Sequence, residues 1–244
     1  MPTFLQAALN GSREHPASPR TPAAIAAEAR AAVAAGAQGV HLHPFDDQGR
    51  ETLDPGACAT TLLAVRAACP GIPVSLSTSE AIEPDPERRL ALLAAWTELP
   101  DAVTANQGER GIGDACSLLL SRGVAIEAGL LRPTDAEAFV QAPFAAACAR
   151  AMVEPLDADP DAAMADAAAI EGTLQAAGLA LPQVHHGEGI ASWAVNRRAL
   201  RRGHGIRTGL EDTPVLPDGR QAAGNAELVA AAVALIGTVG AEER

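Results

Sequence analysis

Two histidines, His41 and His43, are separated by one residue at the end of a short apolar run. Residues i and i+2 of a β-strand point to the same face, so the two imidazoles would lie side by side. Neutral imidazole is a common ligand of zinc and of its neighbours among the first-row transition metals. Pro44 cannot donate a ladder hydrogen bond, so the strand is expected to end there. The spacing fits a metal site, or else two interior histidines satisfied by hydrogen bonds.

Two adjacent carboxylates, Glu211 and Asp212, end a second apolar run. Two histidines and one carboxylate form a common ligand set for catalytic zinc, with a fourth position open to substrate. The side chain of Asp212 should leave in another direction from that of Glu211 and stay off the metal, where it could take a proton. Arg207 lies four residues before Glu211 and is expected to share its face. It could orient Asp212 or bind a substrate carboxylate.

The segment His185-His186-Gly187-Glu188 is a competing metal site. Adjacent residues of a strand point to opposite faces, so one of the two histidines could join a site, with His186 the better placed. We expect this segment to contact substrate or to orient another ligand rather than to bind a metal directly.

Five arginines fall within eleven residues, namely Arg197, Arg198, Arg201, Arg202 and Arg207. They form either a solvated helix face or a site for a phosphate-bearing ligand, because arginine binds phosphate in a bidentate way. If they form a phosphate site, Arg197, Arg198 and Arg201 would bind a phosphate-bearing cofactor.

Short apolar runs alternate with alanine-rich helical stretches along the whole chain. The runs predict strands at residues 4–9, 39–43, 73–77, 102–105, 124–129, 151–153, 183–186 and 205–209. Helices are predicted near residues 22–36, 55–69, 85–96, 112–122, 134–147, 160–177, 190–203 and 224–238. This alternation predicts an α/β fold, a (β/α)8 TIM barrel formed by residues 1–244 as a single domain. A doubly wound open sheet is the alternative, but it often carries a glycine-rich first turn that this chain lacks.

Polar side chains follow every predicted strand. In such barrels the chemistry lies at the carboxyl ends of the strands, which we call the mouth. The residues that the sequence places there are Asn10, His41, His43, Ser77, Thr78, Thr104, Asn106, Glu127, Glu154, His186, Glu188, Glu211 and Asp212. The first connection, residues 10–22, is long enough to fold over the mouth.

Composition narrows the class of protein. A formal net charge of −12 argues against a nucleic-acid partner. No apolar run reaches the roughly 18 residues that span a bilayer, and the N-terminus shows no signal-peptide pattern. We therefore expect a cytoplasmic protein with no membrane partner. Four cysteines without close pairing are expected to be free and buried: Cys58, Cys69, Cys116 and Cys148.

With these residues identified, the chain resembles the β-keto acid cleavage enzyme family nearly end to end. The combination of H-x-H at residues 41–43 with R-x-G-x-E-D at residues 207–212 is its most specific feature. Further matching segments are Asn10-Gly11, Thr21-Pro22, Ser77-Thr78, Thr104-Ala105-Asn106, Glu127-Ala128-Gly129 and Asn225-Ala226-Glu227-Leu228-Val229. The chain departs from the pattern at Pro44-Phe45-Asp46, where many members carry an arginine, and at Ser79-Glu80, where many carry two glycines.

The resemblance implies a zinc-binding TIM barrel that uses a β-keto acid and acetyl-CoA and releases acetoacetate and a new acyl-CoA. His41, His43 and Glu211 would hold the zinc, and Asp212, paired with Arg207, would be the base. Substrate contacts would come from Glu14, Ser77, Thr104, Asn106 and Glu127. Such an enzyme is expected to be a homo-oligomer, a dimer or a tetramer. Without CoA, the same ligands could serve an aldolase-like lyase or a hydrolase.

Overall fold

The structure is a computed structural model that describes residues 3–242. Within this range, eight parallel strands pair in the order of the sequence, and the last strand pairs with the first. A closed sheet has no edges, so the open, doubly wound alternative is excluded. The predicted (β/α)8 barrel is confirmed, and its elements run from Leu5 to Glu242.

The strands are β1 (Leu5–Ala8), β2 (Gly39–Leu42), β3 (Val74–Ser77), β4 (Ala102–Asn106), β5 (Ala125–Leu130), β6 (Arg150–Val153), β7 (Gln183–His185) and β8 (Gly205–Thr208). The helices are α1 (Pro22–Ala35), α2 (Pro55–Ala68), α3 (Pro86–Ala94), α4 (Ile112–Ser121), α5 (Pro133–Phe139), α6 (Pro160–Ala176), α7 (Ala191–Arg201) and α8 (Asn225–Glu242). Each predicted element is present, with ends that differ from the predicted ones by a few residues, except for α5.

Four helices begin at a capping residue that is followed by proline. The side chains of Thr21, Asp54, Asp85 and Asp159 each accept a hydrogen bond from a backbone N–H of the first helical turn. Proline at the next position loses nothing, because its missing N–H would have no partner inside the helix. These local signals fix where four of the helices start.

Helix α5 is shorter than the sequence predicted. The prediction covered residues 134–147, but the helix ends at Phe139, and a separate 3-10 turn follows at Ala145–Ala147. Pro143 lies between the two. Proline lacks the N–H of a helical hydrogen bond, and its ring excludes the helical conformation of the residue before it, so the helix cannot continue.

Residues alternate along β2 between two environments. Val40 and Leu42 are fully buried in the apolar core, whereas His41 belongs to a set of polar side chains buried with it. Only 2% of the residues are aromatic. The layer between sheet and helices is therefore filled mostly by alanine and branched aliphatic side chains. The four cysteines are free and buried, as predicted.

Helix α8 is long and apolar enough, by length and composition, to cross a membrane, with a mean hydropathy of 1.3. This corrects the expectation that no segment would reach that limit. The helix packs against α1, α7, β1 and β8, and Leu228, Val229 and Ala232 are fully buried there. The hydropathy of α8 is therefore weak evidence for a membrane span, because a helix that packs against the core of a barrel passes the same test.

Candidate metal centre and active site

Three side chains converge at the mouth of the barrel. His41 lies on β2, His43 just after it, and Glu211 in the loop after β8. Because β1 lies between β2 and β8, barrel closure brings these segments together. One ligand atom from each residue lies within 4.8 Å of the others. Glu211 Oε2 is 3.5 Å from His41 Nε2, and Glu211 Oε1 is 3.5 Å from His43 Nε2.

The donor set fits a divalent cation. His43 Nε2 and Glu211 Oε2 are buried and have no hydrogen-bond partner among the residues described. Buried polar atoms are rarely left unsatisfied, and a cation between them would satisfy both. Two imidazoles and one carboxylate suit a first-row transition metal with an open coordination position. The structure therefore contains a candidate metal-binding triad.

The two histidines differ in protonation. Burial lowers the pKa of His41 to about 3, so its imidazole is neutral and ready to bind a metal. Burial also acts to lower the pKa of His43, but Glu211 and Glu51 outweigh it and raise that pKa to about 9. Since His43 Nδ1 is 3.2 Å from Glu51 Oε1, this carboxylate lies behind the histidine, on the side away from Glu211. A metal would have to displace a proton from His43.

Asp212 lies beside the triad and is held by Arg207. Arg207 Nη2 donates to Asp212 Oδ1 at 2.6 Å and to Glu211 Oε1 at 3.0 Å. Burial acts to raise the pKa of Asp212, but the adjacent guanidinium outweighs it and lowers that pKa. Asp212 is thus a buried, ionised carboxylate next to the metal ligands. The expected pairing of Arg207 with Asp212 is present.

His186 is a second neighbour of Asp212. Its Nδ1 is 3.3 Å from Asp212 Oδ1, and its Nε2 is 3.4 Å from Glu154 Oε2. Burial raises the pKa of Glu154, which also lies 3.8 Å from Arg207 Nη2. His185 instead stacks on His204, with ring centroids 4.8 Å apart. His186 therefore lies beside Asp212 and outside the ligand triad.

Glu127 lies inside the barrel, beneath His41, and is 2% exposed. Its carboxylate accepts hydrogen bonds from Gln6 Nε2 at 2.9 Å and from Ser75 Oγ at 2.6 Å. This placement contradicts the prediction that Glu127 contacts substrate, because interior side chains already surround its oxygens. Thr104 Oγ1 is 3.3 Å from both Glu127 Oε2 and His41 Nδ1, so it also belongs to this interior network.

Two of the other predicted substrate contacts, Glu14 and Asn106, line cavities at the mouth. The first mouth cavity, of about 640 Å³, is lined by Glu14, Arg20, Arg50, Glu51 and Arg88, among others. It reaches the metal site through Glu51. The second mouth cavity, of about 480 Å³, is lined by Asn106 and Arg132, among others.

The three remaining predicted substrate contacts, Glu14, Asn106 and Ser77, differ in how exposed they are. Glu14 is exposed at the first mouth cavity. Asn106 is half-buried and donates to Glu109 Oε1. Ser77 is buried at the end of β3, where its Oγ accepts a hydrogen bond from the backbone of Ser79. The substrate roles of Glu14, Ser77 and Asn106 stay predictions.

Of the five clustered arginines, Arg207 lies at the mouth, whereas Arg198, Arg201 and Arg202 lie at the opposite end of the barrel. Helix α7 ends at Arg201 and leads into the start of β8, whereas the metal ligands follow the strand ends. Arg198 and Arg202 each contact Glu171 at 2.6 Å, and Arg201 contacts Glu242 at 3.1 Å. This placement, away from the metal ligands, does not support the prediction that Arg197, Arg198 and Arg201 bind the cofactor, which stays a prediction. A helix that runs away from the mouth carries its last turn to the other end.

Some residues of the site gave little signal in the sequence. Glu51 is positioned by an isolated bridge between Phe45 and Glu51, which sequence spacing did not indicate. Arg13 reaches from the first connection to Glu188 and to the backbone oxygen of Glu211. Ser75 could have been noticed, because it shares a strand face with Ser77 and a polar residue there is unusual.

A closed (β/α)8 barrel with a buried His-His-Glu cluster at its mouth defines a barrel protein with a candidate metal centre. A model of the beta-keto acid cleavage enzyme family matches residues 2–186 and 162–243. The chain belongs to this family, which confirms the resemblance seen in the sequence. The 3-keto-5-aminohexanoate cleavage enzyme of Fusobacterium nucleatum subsp. nucleatum is 33% identical over 124 residues, 46% of this chain and 46% of that protein. The match thus spans about half the length of that relative.

Solved structures with the same fold include ObcA. Its apo structure is 19% identical, with a TM-score of 0.75, and the match covers 92% of this chain and 63% of that chain. Its ternary complex with a CoA adduct and oxalate is 18% identical, with a TM-score of 0.76, over 92% and 65%. The thiamine phosphate pyrophosphorylase of Pyrococcus furiosus is 11% identical, with a TM-score of 0.57, over 97% and 96%. At these identities the similarity shows the barrel fold.

Proposed function

We propose that this protein is a zinc-dependent β-keto acid cleavage enzyme that converts a β-keto acid and acetyl-CoA into acetoacetate and a new acyl-CoA. The observation that carries the proposal is the convergence of His41, His43 and Glu211 beside the Asp212–Arg207 pair. Membership of the family supports the reaction class. ObcA has been solved with oxaloacetate and with a CoA adduct, which supports a small keto acid and CoA as partners.

His41 Nε2, His43 Nε2 and one oxygen of Glu211 would hold the zinc. A zinc ion bound there supplies a Lewis acid for the keto oxygen of the substrate, at the open end of the site. Arg207 supports both roles, because its hydrogen bonds to Glu211 and Asp212 keep these two carboxylates ionised at the mouth.

Asp212 is the base. Its carboxylate takes a proton from C2 of the β-keto acid, the carbon between the keto group and the carboxylate. In the net reaction the bond between C2 and the keto carbon breaks, the acetyl group joins C2, and the released acyl group joins the sulfur of CoA. No proton is gained or lost overall, so Asp212 must return the proton that it takes. A carboxylate held in place by Arg207 and His186 can do both without moving.

The first mouth cavity supports a phosphate-bearing co-substrate. Three arginines, Arg20, Arg50 and Arg88, line it together with five carboxylates, two of which pair with Arg50 and Arg88. Glu51 connects the cavity to His43. Guanidinium groups bind phosphate well. We therefore propose this cavity, rather than the arginines of α7, as the region that receives CoA.

The test combines metal analysis with an activity screen. Untagged wild type and His43→Ala are analysed for metal content, and the wild type is then incubated with a panel of β-keto acids and acetyl-CoA. We expect stoichiometric zinc that is lost in His43→Ala, and acetoacetate formation that stops on chelation. Activity that survives chelation would contradict the metal-dependent mechanism. Turnover without acetyl-CoA would instead favour the CoA-independent lyase or hydrolase.

A further inference from the structure

We propose that Glu127 is a positioning residue that fixes the tautomer of His41 through the hydroxyl of Ser75, so that Nε2 of His41 is free to bind the metal. The inference rests on the metal site of the proposed function and extends it into the barrel interior. Glu127 and Ser75 touch neither substrate nor metal in this arrangement and act through His41.

The hydrogen bonds of Glu127 leave little freedom in this network. Ser75 Oγ is 2.6 Å from Glu127 Oε2, and Gln6 Nε2 donates to both carboxylate oxygens, at 2.9 and 3.2 Å. Thr104 Oγ1 lies 3.3 Å from Glu127 Oε2. A carboxylate oxygen accepts hydrogen bonds, and a hydroxyl has a single hydrogen to donate. The Oγ of Ser75 is much closer to Glu127 than to His41, so its hydroxyl hydrogen points at Glu127.

The direction of these bonds decides the tautomer of His41. Ser75 Oγ is 3.4 Å from His41 Nδ1, and Thr104 Oγ1 is 3.3 Å from the same nitrogen. Since Ser75 has given its hydrogen to Glu127, its hydroxyl can only accept from His41. This contact places the ring hydrogen of His41 on Nδ1. The lone pair is left on Nε2, which faces Glu211 Oε2 at 3.5 Å.

The second histidine repeats this arrangement. His43 Nδ1 is 3.2 Å from Glu51 Oε1, and its Nε2 is 3.5 Å from Glu211. Each of the two histidines thus has a carboxylate behind its Nδ1. For His43 this is Glu51, in direct contact, and for His41 it is Glu127, through the hydroxyl of Ser75. Metal-binding histidines commonly donate their other ring N–H to such a partner, which fixes the tautomer and the ring orientation. The alternative is that Glu127 only balances the charge of Arg150, which lies 3.5 Å away.

The test compares Zn²⁺ affinity and tautomer in wild type, Glu127→Gln and Glu171→Gln. A glutamine at 127 can donate to the hydroxyls, which frees their hydrogens to point at His41. We expect Glu127→Gln to bind Zn²⁺ ~10–100-fold more weakly in chelator competition. In ¹⁵N NMR of the metal-free protein, His41 should be protonated at Nδ1 in wild type and partly at Nε2 in the variant. Glu171→Gln removes a buried carboxylate far from the mouth and should change neither.

A second variant covers a failure of Glu127→Gln to fold. Ser75→Ala keeps the Gln6–Glu127 bond and should also weaken Zn²⁺ binding. If Glu127 acts through Ser75, the double variant loses less than the sum of the two single losses. Unchanged affinity in both variants, or a wild-type His41 protonated at Nε2, would overturn the proposal. If wild type bears the Nδ1 hydrogen yet binds no Zn²⁺, the tautomer assignment stands and the proposed function fails.

Discussion

Glu211 and Asp212 are neighbours in the sequence, yet their carboxylates have different partners. Glu211 faces His41 and His43, whereas Asp212 faces Arg207 and His186. Burial alone acts to raise the pKa of both, and for each the guanidinium of Arg207 is the largest influence that lowers it. The two carboxylates are therefore suited to different tasks, Glu211 to metal binding and Asp212 to proton transfer.

The substitution Asp212→Asn separates these tasks. An amide cannot take a proton, but it leaves His41, His43 and Glu211 in place. We expect zinc to be retained and kcat to fall ~10²–10⁴-fold, the usual contribution of a general base. Metal analysis and the acetoacetate assay measure the two effects independently. His41→Ala should lose both zinc and activity.

Asp218→Asn is the matched control for this substitution. Asp218 also pairs with an arginine, Arg220, but on the exposed surface. It should keep both metal and activity. Full activity in Asp212→Asn would show that another group is the base.

At the scale of elements, the junction of β1 and β8 brings the metal ligands together. Gly209 follows β8 directly, and a Cβ on it would lie 1.9 Å from the backbone oxygen of Ala8. The same oxygen accepts a hydrogen bond from the backbone N–H of Glu211 at 3.3 Å. The glycine of the R-x-G-x-E-D motif thus permits the approach that positions Glu211.

The substitution Gly209→Ala tests this contact. The added methyl group cannot fit against backbone, so β8 must move away from β1, and overpacking of this kind costs ~1–3 kcal/mol. We expect a lower free energy of unfolding in urea and a loss of zinc. Gly172→Ala is the control, because a Cβ there meets no atom within 4 Å and lies inside helix α6. It should leave zinc unchanged and stabilise the protein by up to ~1 kcal/mol.

At the scale of the whole molecule, the polar groups at the two ends of the barrel are arranged differently. The mouth holds buried atoms without partners, among them His43 Nε2 and Glu211 Oε2. At the other end, Glu171 accepts hydrogen bonds from Arg198, Arg202 and His204. The first pattern suits a ligand site, and the second fastens helices α6 and α7 together. Cytoplasmic location and homo-oligomerisation stay predictions.

The cluster around Glu171 should make the free energy of unfolding depend on pH in the acidic range. Burial acts to raise the pKa of Glu171, but hydrogen bonds from Arg202, His204 and Arg198 outweigh it and lower that pKa from 4.5 to about 2. Its contribution is therefore complete above pH 4.5 and is lost as the pH falls towards 2. This pKa shift corresponds to at most ~3 kcal/mol of unfolding free energy. The true contribution is smaller, because solvent screens the charge of the half-exposed Arg202.

Urea unfolding of wild type and Glu171→Gln over this pH range measures the effect. The difference in unfolding free energy between them should be largest above pH 4.5 and should shrink below it. Glu242→Gln breaks the exposed pair with Arg201 and should cost less than ~1 kcal/mol. A difference that stays constant down to the lower pH would show that Glu171 contributes only by packing.

Much of this protein follows from local patterns in the sequence. The alternation of strands and helices, the Asp-Pro and Thr-Pro helix starts and the spacing of His41 and His43 depend only on neighbouring residues. Glu211 could be joined to the histidines because a closed barrel must place its last strand beside its first. These features are set by backbone periodicity and by topology, which a sequence displays directly.

Only the tertiary structure decided which polar residues reach the mouth. Arg198 and Glu127 have the chemistry of site residues, yet one lies at the far end of the barrel and the other beneath His41. Their positions depend on the direction of α7 and on the register of β5, and composition does not encode either. Glu51 and Ser75 contact His43 and His41 across chain separations that no spacing rule predicts. The sequence thus determined the fold and the ligand types, whereas strand register and barrel closure decided which side chains meet.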